Sequence, residues 1–467
     1  MLTEKNGYPV YPLSVAQKFH FFYMDYCPMK SVVNIGNTLT IETELDFAEL
    51  KKAIYKAIDR CESMRLRLTQ DEDGTWYQYV VEHEDRDIEF VDFSDISEDE
   101  ANAIMTGWTQ VPIVLKDSPL NRIVMIKMPG GYSGIYALTH HLTMDAQALF
   151  CFYKDIIELY CSEMYEGIDA PGEMASYIEQ LKKDLAYEAG SKAQQRDREY
   201  FQKLIEESEP IYVGIDGTKK LDAVRAMDNN PNARAAYNTS DSVQSKLDVF
   251  HLEAEPTERL VNFCEEYHVS LNFLLLMGLR TYFQKENGID DVSINSAIAR
   301  RATLKEKHCG GTRIHSFPFR TIISKDTKFI DAVCEIRDKQ TEMFRHANYN
   351  PVEYFAYRAK CYPQPQGRTY EPISLTYQPA SLKQKGLDKL GDIKYKTKWL
   401  PNGATTQGVY LTVMHRPEDN GMDFCFEHQK KAVSTKQLEY MYYYMCKILF
   451  KGVANPEMTV GEIIESV

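Results

Sequence analysis

The stretch YALTHHLTMDAQALFCFYKDIIEL, residues 136 to 159, holds two adjacent histidines, an aspartate four residues past the second, and then a helical apolar pattern. The chain has 11 histidines, and only here do two adjoin. A metal site, a base with its scaffold, and a packed pair are the three chemistries to weigh. Successive strand side chains point to opposite faces, so His140 and His141 converge on one ion only if the strand has already ended. There is no HExxH, and no cysteine close by completes a ligand set, so no metal is expected. Packing is the ordinary fate of a partly buried histidine. The context favours a base, because loops at strand ends hold reactive side chains both exposed and fixed. Asp145 has two candidate roles. It orients an imidazole, as in a triad, or it pairs with an arginine and fixes the loop, as a buried carboxylate requires. Arg65 and Arg67 in MRLRL are the arginines on offer.

Around this motif the pattern is mixed α and β. Asn34 to Glu42 is strand-like, and Asp46 with Glu49 begins a helix as a capping box. Gly74 marks a turn between MRLRLTQ and TWYQYVV. Residues 120 to 141 read as a hairpin about Pro129-Gly130-Gly131, and the next helix aligns Leu149, Phe152, Tyr153, Ile156 and Tyr160. A polar connector spans 176–245, helical at first and, from about Ile215, a linker or mobile loop. Ser245 opens a second α/β segment: a strand, a helix with Pro256 in its first turn, a helix capped by Ser270, strands near DVSINSAIA, IHSFPFRTIIS and ISLTYQ, and a last helix with the capping box Ser434…Gln437. The expected organisation is therefore two halves, 1–175 and 246–467, on either side of the connector. The fold class is α+β, a mixed α/β sandwich rather than a doubly wound fold. No GxGxxG or GxxxxGK[ST] phosphate loop occurs.

The bulk numbers narrow the function. A net charge of −14 argues against general binding to nucleic acid or anionic membrane. Local basic clusters remain at Arg300, Arg301, Lys305 and Lys307, and at Lys394, Lys396 and Lys398. The opening MLTEKNGYPVYPL lacks a secretory pattern, and the apolar run at 271–279 is too short to span a bilayer. The 10 cysteines include no CxxC pair and read as reduced thiols, so a cytoplasmic monomer is expected.

HHLTMDA resembles the HHxxxDG signature of the condensation domains of nonribosomal peptide synthetases, within the wider chloramphenicol-acetyltransferase-like superfamily. YPLSVAQKFHFFYMDY (11–26) is similar to the opening SxAQxRxW motif, and RCESMRLRL (60–68) to RHExLRTxF. DSPLNRIVMI, SINSAIARR, GGTRIHSFPFR and PEMTVGEI resemble later segments, so the resemblance runs from about residue 8 to the end. It implies two acetyltransferase-like lobes in a V with a central channel. It also implies His141 as the catalytic position, His140 as a packing or positioning residue, and a structural Asp145 paired with Arg65. Three positions depart from the pattern: Ala146 stands for the signature glycine, His315 for the usual Asn, and Cys61 for a frequent His.

The chemistry implied is acyl or aminoacyl transfer from a thioester to an amine or hydroxyl, with His141 taking the proton or positioning the nucleophile. A pKa near ~6.5 suits that task. Ala146, Ser374, Tyr377 and Gln378 are the expected channel liners. No tightly bound cofactor is implied. The donor is the phosphopantetheine arm of an acyl or peptidyl carrier protein arriving in trans, or acyl-CoA, and a basic cluster would receive the acidic carrier. Two alternatives stand beside this: an acyl-CoA-dependent O- or N-acyltransferase, and a catalytically degenerate interaction module.

Overall fold

The computed structural model describes residues 2–379 and 394–467. Helix α1 (Val15–Tyr26) starts on a closed capping box between Ser14 and Gln17. Strand β1 (Asn34–Ile41) and helix α2 (Phe47–Arg60) follow. Asp46 caps α2 through Ala48 N and Glu49 N, while the Glu49 carboxylate turns to Lys52. After a hairpin of Leu66–Gln70 with Trp76–Val80 come β2 (Glu89–Asp92), β3 (Asn121–Lys127), β4 (Ser133–His140) and helix α3 (Ala146–Met164). The second half contributes β5 (Ser245–Leu252), helix α4 (Leu271–Asn287), β6 (Asp291–Ile298), β7 (His315–Ile322), β8 (Ser374–Gln378), β9 (Tyr395–Leu400), β10 (Val409–His415), β11 (Met422–Gln429) and helix α5 (Thr435–Ala454).

Two mixed sheets carry the fold. The first has the order β9-β1-β4-β3-β2, and the second β5-β11-β10-β8-β6-β7. In the first, β1 and β4 run antiparallel in the register Asn34↔His140 to Ile41↔Ser133, and β2 joins β3 in parallel. In the second, β8 lies parallel to both β6 and β10, and the other pairs are antiparallel. The expectation of a mixed α/β arrangement agrees with this.

Strand alternation decides what each face of the second sheet does. Val409, Leu411, Val413, Phe424 and Phe426 are buried in one apolar cluster with residues of α4 and α5. Helix α4 is buried all round, from Phe273 to Gln284, which is why its apolar residues show no one-sided stripe. The alternate residues, Tyr410, Thr412, Cys425 and Glu427, turn to the other face, where a cavity lies.

Two expectations about organisation need correction. Strand β9 belongs to the second half by sequence, yet it pairs with β1 along Tyr395↔Ile41 to Leu400↔Gly36 and completes the first sheet. A boundary at residue 246 therefore does not separate two self-contained units. The stretch beyond Ile215 is not a free loop either. It forms a helix, Lys219–Met227, whose Leu221 and Val224 are buried with Tyr212 and Ala236. Two apolar anchors in a polar sequence are enough to pin the segment but too few to show a period. Among the described residues no helix is long and apolar enough to cross a membrane.

Candidate active site

Strand β4 delivers His140 and ends there, and the loop 141–145 carries the chain into α3. Its backbone is held from several directions: His141 N–H donates to Val33 O at 2.8 Å and Thr143 N–H to His140 O at 2.8 Å. Gln17 Nε2 donates to Leu142 O at 3.0 Å, so the SVAQ segment of α1 supports the loop behind the histidines.

The two histidines have different environments. His140 is 1% exposed, and its Nδ1 accepts from Leu142 N–H at 3.2 Å. Burial, followed by the neighbouring His141, pushes its pKa down to about 3. His141 lines a cavity of about 260 Å³. Among the described residues its enclosed Nδ1 has no hydrogen-bond partner, so Nε2 is the candidate nitrogen for contact with a substrate. Burial lowers its pKa below the ordinary histidine value, opposed by its own backbone and by Asp145. The ring is thus neutral at pH 7 and a weaker base than an unperturbed imidazole. His20 of α1 stacks on it, with centroids 3.8 Å apart and planes at 24°.

Asp145 does not take the triad role, and its partner is not Arg65. It caps α3 by accepting from Ala148 N–H at 2.9 Å. Its carboxylate receives Arg301 Nη2 at 3.0 and 3.1 Å and Arg313 N–H at 2.8 Å. Asp145 is 3% exposed and Arg301 8%, so this is a buried ion pair. Arg301 also donates to the carbonyls of Glu306, Cys309 and Gly311. One guanidinium thereby ties the loop 301–313 of the second half to the histidine loop of the first. Arg65 is occupied elsewhere. It donates to the carbonyls of Ile58, Asp59, Val81 and Glu82, and Arg67 pairs with Glu84.

Ala146 begins α3 with ordinary helical geometry, so the alanine is unstrained, and it lines the cavity beside His141. On β8, Thr376 and Gln378 line the cavity. Tyr377 points to the opposite face, as strand alternation demands, and meets His415 Nε2 at 2.8 Å. Ser374 shares the face of Thr376 but sits behind Gln407, to which its hydroxyl donates. Tyr377 and Ser374 are therefore not lining residues. His315 does line the cavity; its Nδ1 faces Ala347 O at 2.9 Å and its Nε2 is buried without a partner. Cys61 lies outside the wall, beside Ser63 at 3.3 Å.

Several wall residues carry no signal in the motif. His20 is a lone histidine on an apolar helix. Trp399 comes from the crossing strand β9. Tyr410, Thr412 and Glu427 sit at alternate positions of VYLTVMH and MDFCFEHQ, where the period shows a face but not what it faces. Of the first basic cluster, Arg301 is spent on Asp145, and Arg300 is buried beside Asp184 with its Nε on Arg313 O. In the second, Lys396 and Lys398 each lie 3.9 Å from Glu98. Among the described residues no three His, Cys, Asp or Glu side chains gather as a metal-ligating group.

The buried histidines make the fold acid-sensitive. His20 and His315, like His140, are held below the ordinary value chiefly by burial. A histidine whose folded pKa is depressed contributes its full stability above the unfolded pKa near ~6.5 and loses it as the pH falls toward the folded value. His140 alone is expected to remove ~2 kcal/mol between pH 6.5 and pH 5. Urea unfolding at the two pH values checks this, and His140→Gln should flatten the slope.

The profile of the Condensation domain family matches residues 9–464. The chain is 23% identical over 466 residues to surfactin synthase subunit 1 of Bacillus subtilis (strain 168), covering 97% of this chain and 12% of that protein. It is 22% identical over 461 residues to tyrocidine synthase 2 of Brevibacillus parabrevis, covering 99% of this chain and 12% of that protein. The chain thus spans only a small part of the length of these relatives. Among solved structures, the first condensation domain of the calcium-dependent antibiotic synthetase aligns with a TM-score of 0.78 at 19% identity, over 97% of this chain and 98% of that one. A starter condensation domain of rhizomide synthetase, in complex with C8-CoA and Leu-SNAC, aligns with a TM-score of 0.79 at 18% identity, over 98% and 96%.

Proposed function

Because this chain belongs to the condensation-domain family, we propose that it is an acyltransferase that moves an acyl or aminoacyl group from a carrier-protein thioester to an amine or hydroxyl. The observation that carries this reading is the place of His141, held by a fixed loop in the wall of a cavity whose lining comes from both halves. In the proposed step the acceptor nitrogen or oxygen attacks the thioester carbon, and a C–N or C–O bond forms. The C–S bond breaks, His141 Nε2 takes the acceptor proton, and the proton returns to the departing thiolate. General-base help of this kind contributes ~10²–10⁴-fold, and holding both substrates in one enclosed space adds to it.

Burial suits the ring to this work by keeping it unprotonated at neutral pH, at some cost in basicity. The proposed architecture is two acetyltransferase-like lobes in a V, with the cavity as the middle of a channel entered by the pantetheine arm. With Arg300 and Arg301 buried, Lys305 and Lys307 remain the basic candidates for carrier docking in the first cluster.

A second reading, transfer directly from acyl-CoA, is favoured by one neighbour: the rhizomide starter domain is described in complex with C8-CoA. Offering the chain acyl carriers and acyl-CoAs side by side, with product detection by intact mass, separates the two. Product from carriers alone supports the first reading and product from CoA the second. Absence of product from either, across a broad acceptor panel, favours a non-catalytic module.

A further inference from the structure

Glu427 projects from β11 into the cavity that holds His141. Among the described residues, the cavity wall contains no other carboxyl and no lysine or arginine. The carboxyl receives a hydrogen bond there from Ser245 Oγ to Oε1 at 3.0 Å, and among the described residues it has no ion-pair partner. Glu427 is half-buried, and a carboxylate partly withdrawn from bulk water is stabilised by a cation or by several donors. The fully buried carboxylates Asp145 and Glu371 each have such a cation, Arg301 and Arg358.

The surroundings of Glu427 suit one class of partner. Tyr410 and Leu247 are its cross-strand neighbours. Thr412, Thr376, Gln378 and Gln407 line the same wall. Their hydroxyl and amide oxygens accept hydrogen bonds and suit the remaining N–H groups of an ammonium ion. The serine hydroxyl that donates to Glu427 favours its ionised form.

We propose that Glu427 is a cation-recognition residue, which selects substrates carrying a primary ammonium group away from the reacting carbon. A diamine acceptor, or an aminoacyl group with a basic side chain, has this chemistry. The inference rests on the acyl-transfer reading only for which substrate carries the ammonium; the binding itself does not require transfer. Burial raises the Glu427 carboxyl to about 7, opposed by the Ser245 hydrogen bond. An ammonium partner would restore its ionised form.

The test uses the full chain and two probes of equal length, 1,5-diaminopentane and 1,5-pentanediol, titrated by calorimetry at pH 8. The diamine is expected to bind at least tenfold more tightly. Glu427→Gln should bring the ratio close to one, and His141→Ala should leave it unchanged. Equal binding of both probes by the parent chain, or a preference that survives Glu427→Gln, overturns the proposal. Should Glu427→Gln fail to fold, the parent chain supplies the second measurement. Its preference for the diamine should fall as the pH drops from 8.5 to 6.5, and a ratio flat across that range overturns the proposal. Burial holds His20, His141 and His315 below the ordinary histidine value, and Tyr23, Tyr410 and Cys425 above theirs, so the histidines stay mostly neutral in that window. Product formed without any diamine preference counts against Glu427 alone. A diamine preference without His141-dependent product counts against the transfer reading alone.

Discussion

Replacing His141 by alanine is expected to lower acyl transfer by about 10²–10⁴-fold, the range for loss of a positioned general base. The loss should fall on kcat more than on KM, since the interaction removed is made mostly as the acceptor proton leaves. Folding should change little by comparison, because the ring lines an existing cavity rather than filling the core. Single-turnover mass spectrometry with matched unfolding curves reads both effects. A variant that transfers at the parent rate would remove this imidazole from the reaction.

Asp145→Ala carries the largest expected cost in stability. It leaves the Arg301 guanidinium buried beside three carbonyls without its carboxylate, and it removes the cap of α3. Breaking one side of a buried ion pair typically costs ~3–5 kcal/mol, and losing an N-cap ~0.5–2 kcal/mol. Denaturant midpoints check the sum. Removing both charges in Asp145→Ala/Arg301→Met should cost less than the two single changes added together, since neither variant side chain is then a stranded ion. Chemistry should follow the folded fraction, because the carboxylate is committed to Arg301 and Arg313. Full stability with lost transfer would instead return Asp145 to a triad role.

What the sequence made legible follows from the range of the forces involved. The hairpin 121–140, the capping box at Ser434 and the spacing of the periodic helices depend on residues a few positions apart. The His-His-x3-Asp spacing likewise placed two histidines at a strand end before a helix. The partner of Asp145 was not legible. Arg301 lies 156 residues away, and nothing local distinguishes it from Arg65, whose guanidinium is recruited by four backbone carbonyls. Strand β9 reads as a charged patch, because Lys396 and Lys398 decorate a strand at the sheet edge and its pairing with β1 is long-range. Tyr377 was misplaced for a simpler reason: on a strand it cannot share the face of Thr376 and Gln378. Glu427 sits in a visible alternation, yet the period alone does not say that its face meets His141 across a cavity.

The most direct measurement is a structure of the chain with a stable analogue of its acyl-pantetheine donor, in which a ketone replaces the thioester. The pantetheine arm is expected inside the cavity, with the analogue's carbonyl carbon beside His141. The space for the acceptor atom should then lie within hydrogen-bond reach of Nε2, ~2.6–3.2 Å. An analogue bound outside this cavity, or one that leaves no room for an acceptor at that nitrogen, would contradict the role given to His141.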